Sequence, residues 1–281
     1  MNVPMSEKTI LITGATNGIG LVAARELAKM GAGIVLVSRS AEKCAQTAEQ
    51  LKRETGNAKI EYIAADLASH AGTQKVAHEF KKRHTRLDVL LNNAGAMFMQ
   101  RQLSADGIEM TWALNHLGYF VLTMLLLDTL KASGPARIVN VSSDAHRSGK
   151  INFDDLQMEK GYAGLAAYQQ SKLANILFTY ELARKLEGSK VTANVLHPGL
   201  IRTGFNQNNG PLMSFAMTFL GLFSRNAVEG AQTSIYLASS PDVEGVSGKY
   251  FEDSKAVPSS PASYNRAAAE RLWQMSLEMI A

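Results

Sequence analysis

Along the chain, short runs of consecutive apolar residues alternate with longer segments whose apolar positions recur with helical period. The runs Thr9 to Thr13, Gly33 to Val37, Ile60 to Ala64, Leu87 to Asn92, Arg137 to Val141 and Val191 to Leu196 predict strands, and the stretches between them predict helices. The first helix is expected to reach Met30, and the second to run from Ala41 to Arg53. Runs such as Ile10-Leu11-Ile12 and Val89-Leu90-Leu91 are apolar at every position, as a strand covered on both faces requires. This alternation predicts an α/β fold: a doubly wound parallel sheet, Rossmann-like, with helices on both faces. No repeat or linker interrupts it before Val257-Pro258-Ser259-Ser260-Pro261. The expectation is therefore a single domain over 1–281 with a C-terminal helical appendage at about 257–281. Its helix, from about Ser263 to Met279, should dock through Leu272, Trp273 and Leu277.

Composition narrows the classes of function. An apolar share of 46% over 281 residues suits a sizeable core. The net charge of +4 is spread along the chain, and the longest basic run, Lys81-Lys82-Arg83, reads as a solvated helix end and not as a nucleic-acid site. Cys44 is the one cysteine, so no internal disulfide can form, and a reducing, cytoplasmic setting is expected. The start MNVPMSEKT leads straight into the first strand without the features of a signal peptide, which argues against secretion. The apolar stretch from Pro211 to Phe223 contains Ser214 and Thr218 and is too short for a membrane span. No histidine and cysteine spacing suggests zinc, and Asp154-Asp155 reads as a turn, so no metal is expected.

In a doubly wound sheet the ligand lies beyond the carboxyl ends of the strands, where strand order reverses. The first strand ends in TGATNGIG, which places Gly14, Gly18 and Gly20 between strand and helix, with Thr16, Asn17 and Ile19 in the same loop. Gly14 permits a tight turn, Gly18 lets the backbone approach a diphosphate, and Gly20 lets the helix pack close to the sheet. The helix N-terminus then offers N–H groups to the anion. A dinucleotide site also needs a selector after the second strand. Here Val37-Ser38-Arg39-Ser40 carries no acid for a free ribose hydroxyl, while Arg39 supplies a guanidinium fork for a 2′-phosphate, so NADP is the expected cofactor.

Tyr168-Gln169-Gln170-Ser171-Lys172 sets Tyr168 and Lys172 one helical turn apart on one face, after the strand ending in Ser142-Ser143. A phenol titrates near ~10, so service as a base near pH 7 requires roughly 4 kcal/mol. One cation about 4 Å away, at an effective dielectric near 20, supplies about that much. Lys172 is thus expected to depress the Tyr168 pKa, helped by a positive nicotinamide. Ser143 would hydrogen-bond the substrate oxygen as charge develops on it.

Over about residues 8 to 278 the sequence resembles the short-chain dehydrogenase/reductase family. TGATNGIG matches that family's TGxxxGxG loop, and Asn92-Asn93-Ala94-Gly95 its NNAG motif. The resemblance implies that Asp66-Leu67 contacts adenine, that Asn93, Ala94 and Gly95 border the cofactor, and that Pro198, Gly199, Ile201 and Thr203 meet its carboxamide and phosphates. It implies a catalytic set of Asn115, Ser143, Tyr168 and Lys172, with Tyr168 and Lys172 also touching cofactor. Asn115 falls on the asparagine that bends a helix and holds a water in the proton relay, while Ser142 matches the non-catalytic serine. Within the family the segment Ser148 to Leu156, followed by AYQQSKLAN, and the ending Arg271-Leu272-Trp273 are similar to the retinol dehydrogenase-like reductases. Those relatives prefer NADP and act on lipophilic aldehydes, ketones or alcohols. Their membrane-anchored members open on an apolar segment that this sequence does not show, so a retinoid is not assigned.

The resemblance also implies a substrate lid at about 204–226, whose apolar residues Pro211, Leu212, Met213, Phe215, Met217, Phe219, Leu220 and Phe223 suit a lipophilic ligand. Core packing, a subunit contact and a surface-seeking helix stand as alternatives for that stretch. His116, His146 and His197 read as packing or hydrogen-bonding groups. The expected activity is hydride transfer between NADP(H) and a carbonyl or alcohol. Two other readings stay open: an NADP-binding sensor or scaffold without turnover, and a carbon–carbon double-bond reductase similar to the protochlorophyllide reductases. Pairing of copies through the helix around Val121 to Leu130 is left open as well.

Overall fold

The structure, a computed structural model, describes residues 5–199 and 226–280. Eight strands form one sheet in the order β3-β2-β1-β4-β5-β6-β7-β8. They are β1 (Thr9–Thr13), β2 (Gly33–Ser38), β3 (Ile60–Ala64), β4 (Val89–Asn92), β5 (Ala136–Val141), β6 (Val191–Leu196), β7 (Tyr250–Glu252) and β8 (Lys255–Ala256). Every pairing from β3 to β7 is parallel, and β8 folds back antiparallel on β7. The order reverses between β1 and β4, which opens the crevice expected for a ligand.

The helices are α1 (Gly18–Lys29), α2 (Ala41–Thr55), α3 (His70–Arg83), α4 (Met110–Ala132), α5 (Gly164–Lys185), α6 (Ala227–Ser239) and α7 (Arg266–Glu278). Alternate strand residues feed different helix layers. Ile10, Ile12, Ile34, Leu36, Val89 and Leu91 join α1 and α6 in one core, while Leu11, Val35, Val37, Leu90 and Ile138 join α3, α4 and α5 in the other. That division explains the uninterrupted apolar runs: with both faces covered, no position is left for water.

The six expected strands are present with small shifts at their ends. Leu87 falls outside β4 because its N–H turns to the Ser133 hydroxyl at 2.8 Å. β7 and β8 were not expected. Their two-residue turn places Asp253 at φ 49 and Ser254 at φ 60, so residues other than glycine carry the left-handed hairpin geometry and the usual sequence signal is missing. The C-terminal helix starts three residues later than expected. Pro261–Tyr264 form a 3₁₀ turn first, and the Asn265 side chain then caps α7 by accepting from the Ala268 N–H. Leu272 is buried and Trp273 and Leu277 are partly buried against the body.

One described helix, α4, is long and apolar enough to cross a bilayer, and 72% of its most apolar window is buried inside the protein. Val121, Leu122, Leu126 and Leu130 are spent in the core, which accounts for much of that apolar character. Ile201, Thr203 and nearly all of the expected lid lie outside the described residues; Asn226, at its end, caps α6 in a capping box with Glu229.

Candidate active site

The glycine loop sits over the β1/β4 crevice. Gly14 and Gly18 adopt φ +65 and +52, a region that side chains with a Cβ rarely enter. A methyl group at Gly20 would strike the Gly14 carbonyl and the Asn93 amide, so close packing of α1 on the loop depends on its absence. Asn17 stands at the N-cap of α1 without a side-chain capping bond, which leaves the first-turn N–H groups for an anion. Ile19 packs on the core behind the loop, while the Thr16 hydroxyl reaches the Ser38 hydroxyl at 3.1 Å. Arg39 follows directly on β2, exposed and without an ion pair among the described residues. The cradle and the spare guanidinium fit a dinucleotide carrying a 2′-phosphate.

Asn93 acts chiefly on the chain itself. Its Nδ2 donates to the carbonyls of Thr13 at 2.8 Å and Gly14 at 3.3 Å, and its N–H and that of Ala94 donate to the Thr13 hydroxyl at 2.8 and 2.9 Å. Thr13 was missed as a site residue, although a hydroxyl at the last position of the first strand is a recognisable signal. Below it runs a buried ladder: Asn92 donates to Thr123 at 3.0 Å and to Asn140 at 2.9 Å, and Asn140 donates to Thr179 at 2.9 Å. Elsewhere around the crevice, Asp66 caps its own turn by accepting from the Ala68 N–H at 3.1 Å, and Leu67 is buried beside it. Pro198 and Gly199 follow β6, Gly199 at φ +87.

Ser143, Tyr168, Lys172 and Asn115 converge from three elements. Ser143 lies just past β5 and opens a 3₁₀ turn, its Oγ accepting from the Ala145 N–H at 3.2 Å and hydrogen-bonding with the Tyr168 hydroxyl. Lys172 donates from Nζ to the Val141 carbonyl at 3.1 Å, and its ammonium lies 5.6 Å from the Tyr168 ring centre. A Cβ on Gly95 would lie 3.2 Å from Asn115 Oδ1 and 3.4 Å from Lys172 Nζ, so this glycine keeps the space between them open.

Asn115 lies in a π-helical turn, Ala113–Leu117, within α4, which is the helix distortion that the resemblance implies. Its side chain bridges three elements, accepting from the Ala96 N–H at 2.9 Å while donating to the Ala96 carbonyl at 2.9 Å and to Ser171 at 3.0 Å. Ser142 donates to the Lys172 backbone carbonyl at 2.8 Å and so ties the end of β5 to α5. Gln170 was also missed. It accepts from the Asn152 N–H and donates to the Leu156 carbonyl, both at 2.9 Å, tying the long serine-to-tyrosine segment to α5.

Within the chain itself, burial works against the depression of the Tyr168 pKa expected from Lys172 and a positive nicotinamide. Burial pushes the Tyr168 phenol up to about 12, partly offset by its bond to Ser143, and burial draws Lys172 down to about 7. Desolvation disfavours the charged form of each group. The fold by itself therefore favours the neutral phenol at Tyr168.

Among the described residues there is no cluster of metal-ligating side chains. His116 is buried and drawn down to about 3 by burial, with a ring nitrogen 2.9 Å from the Ser276 hydroxyl. It is a packing and hydrogen-bonding group.

A family model described as short chain dehydrogenase matches residues 8–212. The chain is 44% identical to human retinol dehydrogenase 14 (Homo sapiens) over 98% of its own length and 87% of that protein's. It is 42% identical to human polyprenol dehydrogenase over 98% and 86% of the two chains. Among solved structures, an uncharacterized protein from Mycobacterium paratuberculosis superposes with a TM-score of 0.80 at 32% identity, covering 99% and 95% of the two chains. A Pseudomonas aeruginosa RhlG/NADP active-site complex superposes with a TM-score of 0.71 at 30% identity, covering 89% and 97%. Glycine loop, asparagine clamp and converging serine, tyrosine and lysine thus sit in a chain that belongs to the short-chain dehydrogenase family.

Proposed function

We propose that this protein is an NADP-dependent oxidoreductase that transfers hydride between the cofactor and a lipophilic carbonyl or alcohol, within one catalytic domain closed by its C-terminal helix. The convergence of Ser143, Tyr168 and Lys172 beside the glycine cradle carries this reading. Arg39, at the end of β2 and without an ion pair among the described residues, supports NADP over NAD, as does the likeness to the RhlG/NADP complex. Likeness to retinol and polyprenol dehydrogenases supports a long apolar substrate. A buried single cysteine, Cys44, supports a reducing, cytoplasmic setting.

Bound NADPH supplies the hydride that the carbonyl carbon receives. The chain's own residues manage the oxygen. Ser143 donates a hydrogen bond to it, and the Tyr168 hydroxyl, neutral at pH 7, gives up its proton to complete the alcohol. Lys172 stands behind Tyr168 as the group from which that proton is restored, with Asn115 holding the β4 loop against α5 so that the relay keeps its shape.

The test is a panel of aldehydes, ketones and alcohols with NADPH or NADP, followed by nicotinamide absorbance. Turnover of lipophilic carbonyls is expected, and Arg39→Ala should weaken NADPH binding at least tenfold more than NADH binding, as loss of a charge-assisted fork implies by roughly 1.5 kcal/mol or more. Tight NADPH binding without turnover of any member would favour a sensor instead.

A further inference from the structure

The peptide group that follows Ser143 is gripped at both ends by imidazoles. Its carbonyl oxygen lies 2.7 Å from His146 Nδ1, and its N–H, that of Asp144, donates to His197 Nδ1 at 3.1 Å. The far side of the His146 ring is also engaged, because Nε2 accepts from the Ser260 N–H at 3.0 Å. A backbone N–H can only donate, so His146 Nε2 and His197 Nδ1 must both be unprotonated. His146 therefore carries its proton on Nδ1 and donates it to the Ser143 carbonyl.

His146 is fully buried and His197 is 6% exposed. Ser260 comes from the segment just before the C-terminal helix, 114 residues away in sequence. That segment is itself anchored to α5, through Ser259, whose hydroxyl meets the Tyr180 hydroxyl at 2.8 Å and that of Ser263 at 2.6 Å. With the peptide plane clamped, Ser143 stands at ψ 156, and rotation about χ1 is the main freedom its hydroxyl keeps.

We infer that His146 and His197 are positioning residues for Ser143, and that Ser260 completes the device by holding His146 in one tautomer. The C-terminal segment thereby sets the aim of the serine. This rests on the proposed role of Ser143 in substrate binding. The groups facing His146 are Asp144 and Arg147 on its own turn, which pair at 2.6 Å, His197 beyond β6, and the Tyr250 ring of β7 at 5.1 Å. Burial holds His146 below its ordinary range, against the opposing pull of the Ser143 carbonyl and Asp144. A proton on Nε2 would set N–H against N–H and open the clamp.

The experiment uses the full chain, NADPH, and the lipophilic aldehyde turned over fastest in the panel above. Nitrogen-15 histidine spectra at pH 7 should show His146 protonated on Nδ1. His146→Asn keeps a donor toward Ser143, whereas His146→Gln keeps only the acceptor toward Ser260. The glutamine variant should lose about 10- to 100-fold in kcat, the range that a misplaced reacting group costs, while the asparagine variant recovers most of it. KM for NADPH should stay put in both. An Nε2-protonated His146 in an active enzyme, or a glutamine variant as fast as the parent, would overturn the clamp. Absence of turnover by the parent would instead sink the proposed role of Ser143, and the clamp with it.

Discussion

At the scale of single residues, the site is governed by the cost of keeping charge away from water. Lys172 is enclosed and Tyr168 half-buried, and each is driven toward its neutral form. Tyr168→Phe removes the proton donor but not the packing, so turnover should fall by about 10²–10⁴-fold while NADPH fluorescence titrations give an unchanged Kd. The lysine carries a stability cost as well. Its folded pKa of about 7 lies below the ordinary 10.5, so the unfolded chain holds a proton that the folded chain releases between those values. That penalty is absent above about 10.5, grows as pH falls toward about 7, and is constant below. Lys172→Met should therefore raise Tm at pH 7 by several °C, at roughly 2–4 °C per kcal/mol, while abolishing turnover. A Tm that drops instead would mean that the ammonium is better solvated than its surroundings imply.

At the scale of elements, α5 does the most. Tyr168 and Lys172 face the crevice from it, Ser171 receives Asn115, and Gln170 holds the 149–163 segment. The motif Tyr-x-x-x-Lys made the first two legible, since helical period alone puts them on one face. Ser171 and Gln170 were invisible because their partners lie 56 and 18 residues away. The C-terminal helix α7 is fastened in part by Trp273, whose ring lies 5.1 Å from Phe120 and 5.8 Å from Phe178, with Lys185 Nζ 4.9 Å above it. Trp273→Ala should cost about 2–3 kcal/mol, less than a fully buried tryptophan because this one is only half-buried. Urea unfolding would report it as a lower midpoint, with NADPH affinity at saturating folded protein left in place.

At the scale of the whole molecule, the open edge of the sheet at β3 is protected by its own neighbours. Lys75 Nζ donates to the Ala64 carbonyl at 2.9 Å and Arg83 to the Tyr62 carbonyl at 3.1 Å, so two edge acceptors are occupied by cations from α3. Replacing both with alanine should change unfolding free energy by no more than about 1 kcal/mol, given their exposure, yet promote self-association visible by light scattering on heating. The strand and helix sequence, the glycine turn, the cation after β2 and the Tyr168/Lys172 pair were all legible in the chain, because each depends on residue type and local spacing. The C-terminal hairpin, the asparagine ladder, the histidine clamp on Ser143 and the neutral state of Tyr168 were decided only by the tertiary fold. Hydrogen bonds between distant segments and the exclusion of water are properties of assembled space, and no stretch of sequence carries them by itself.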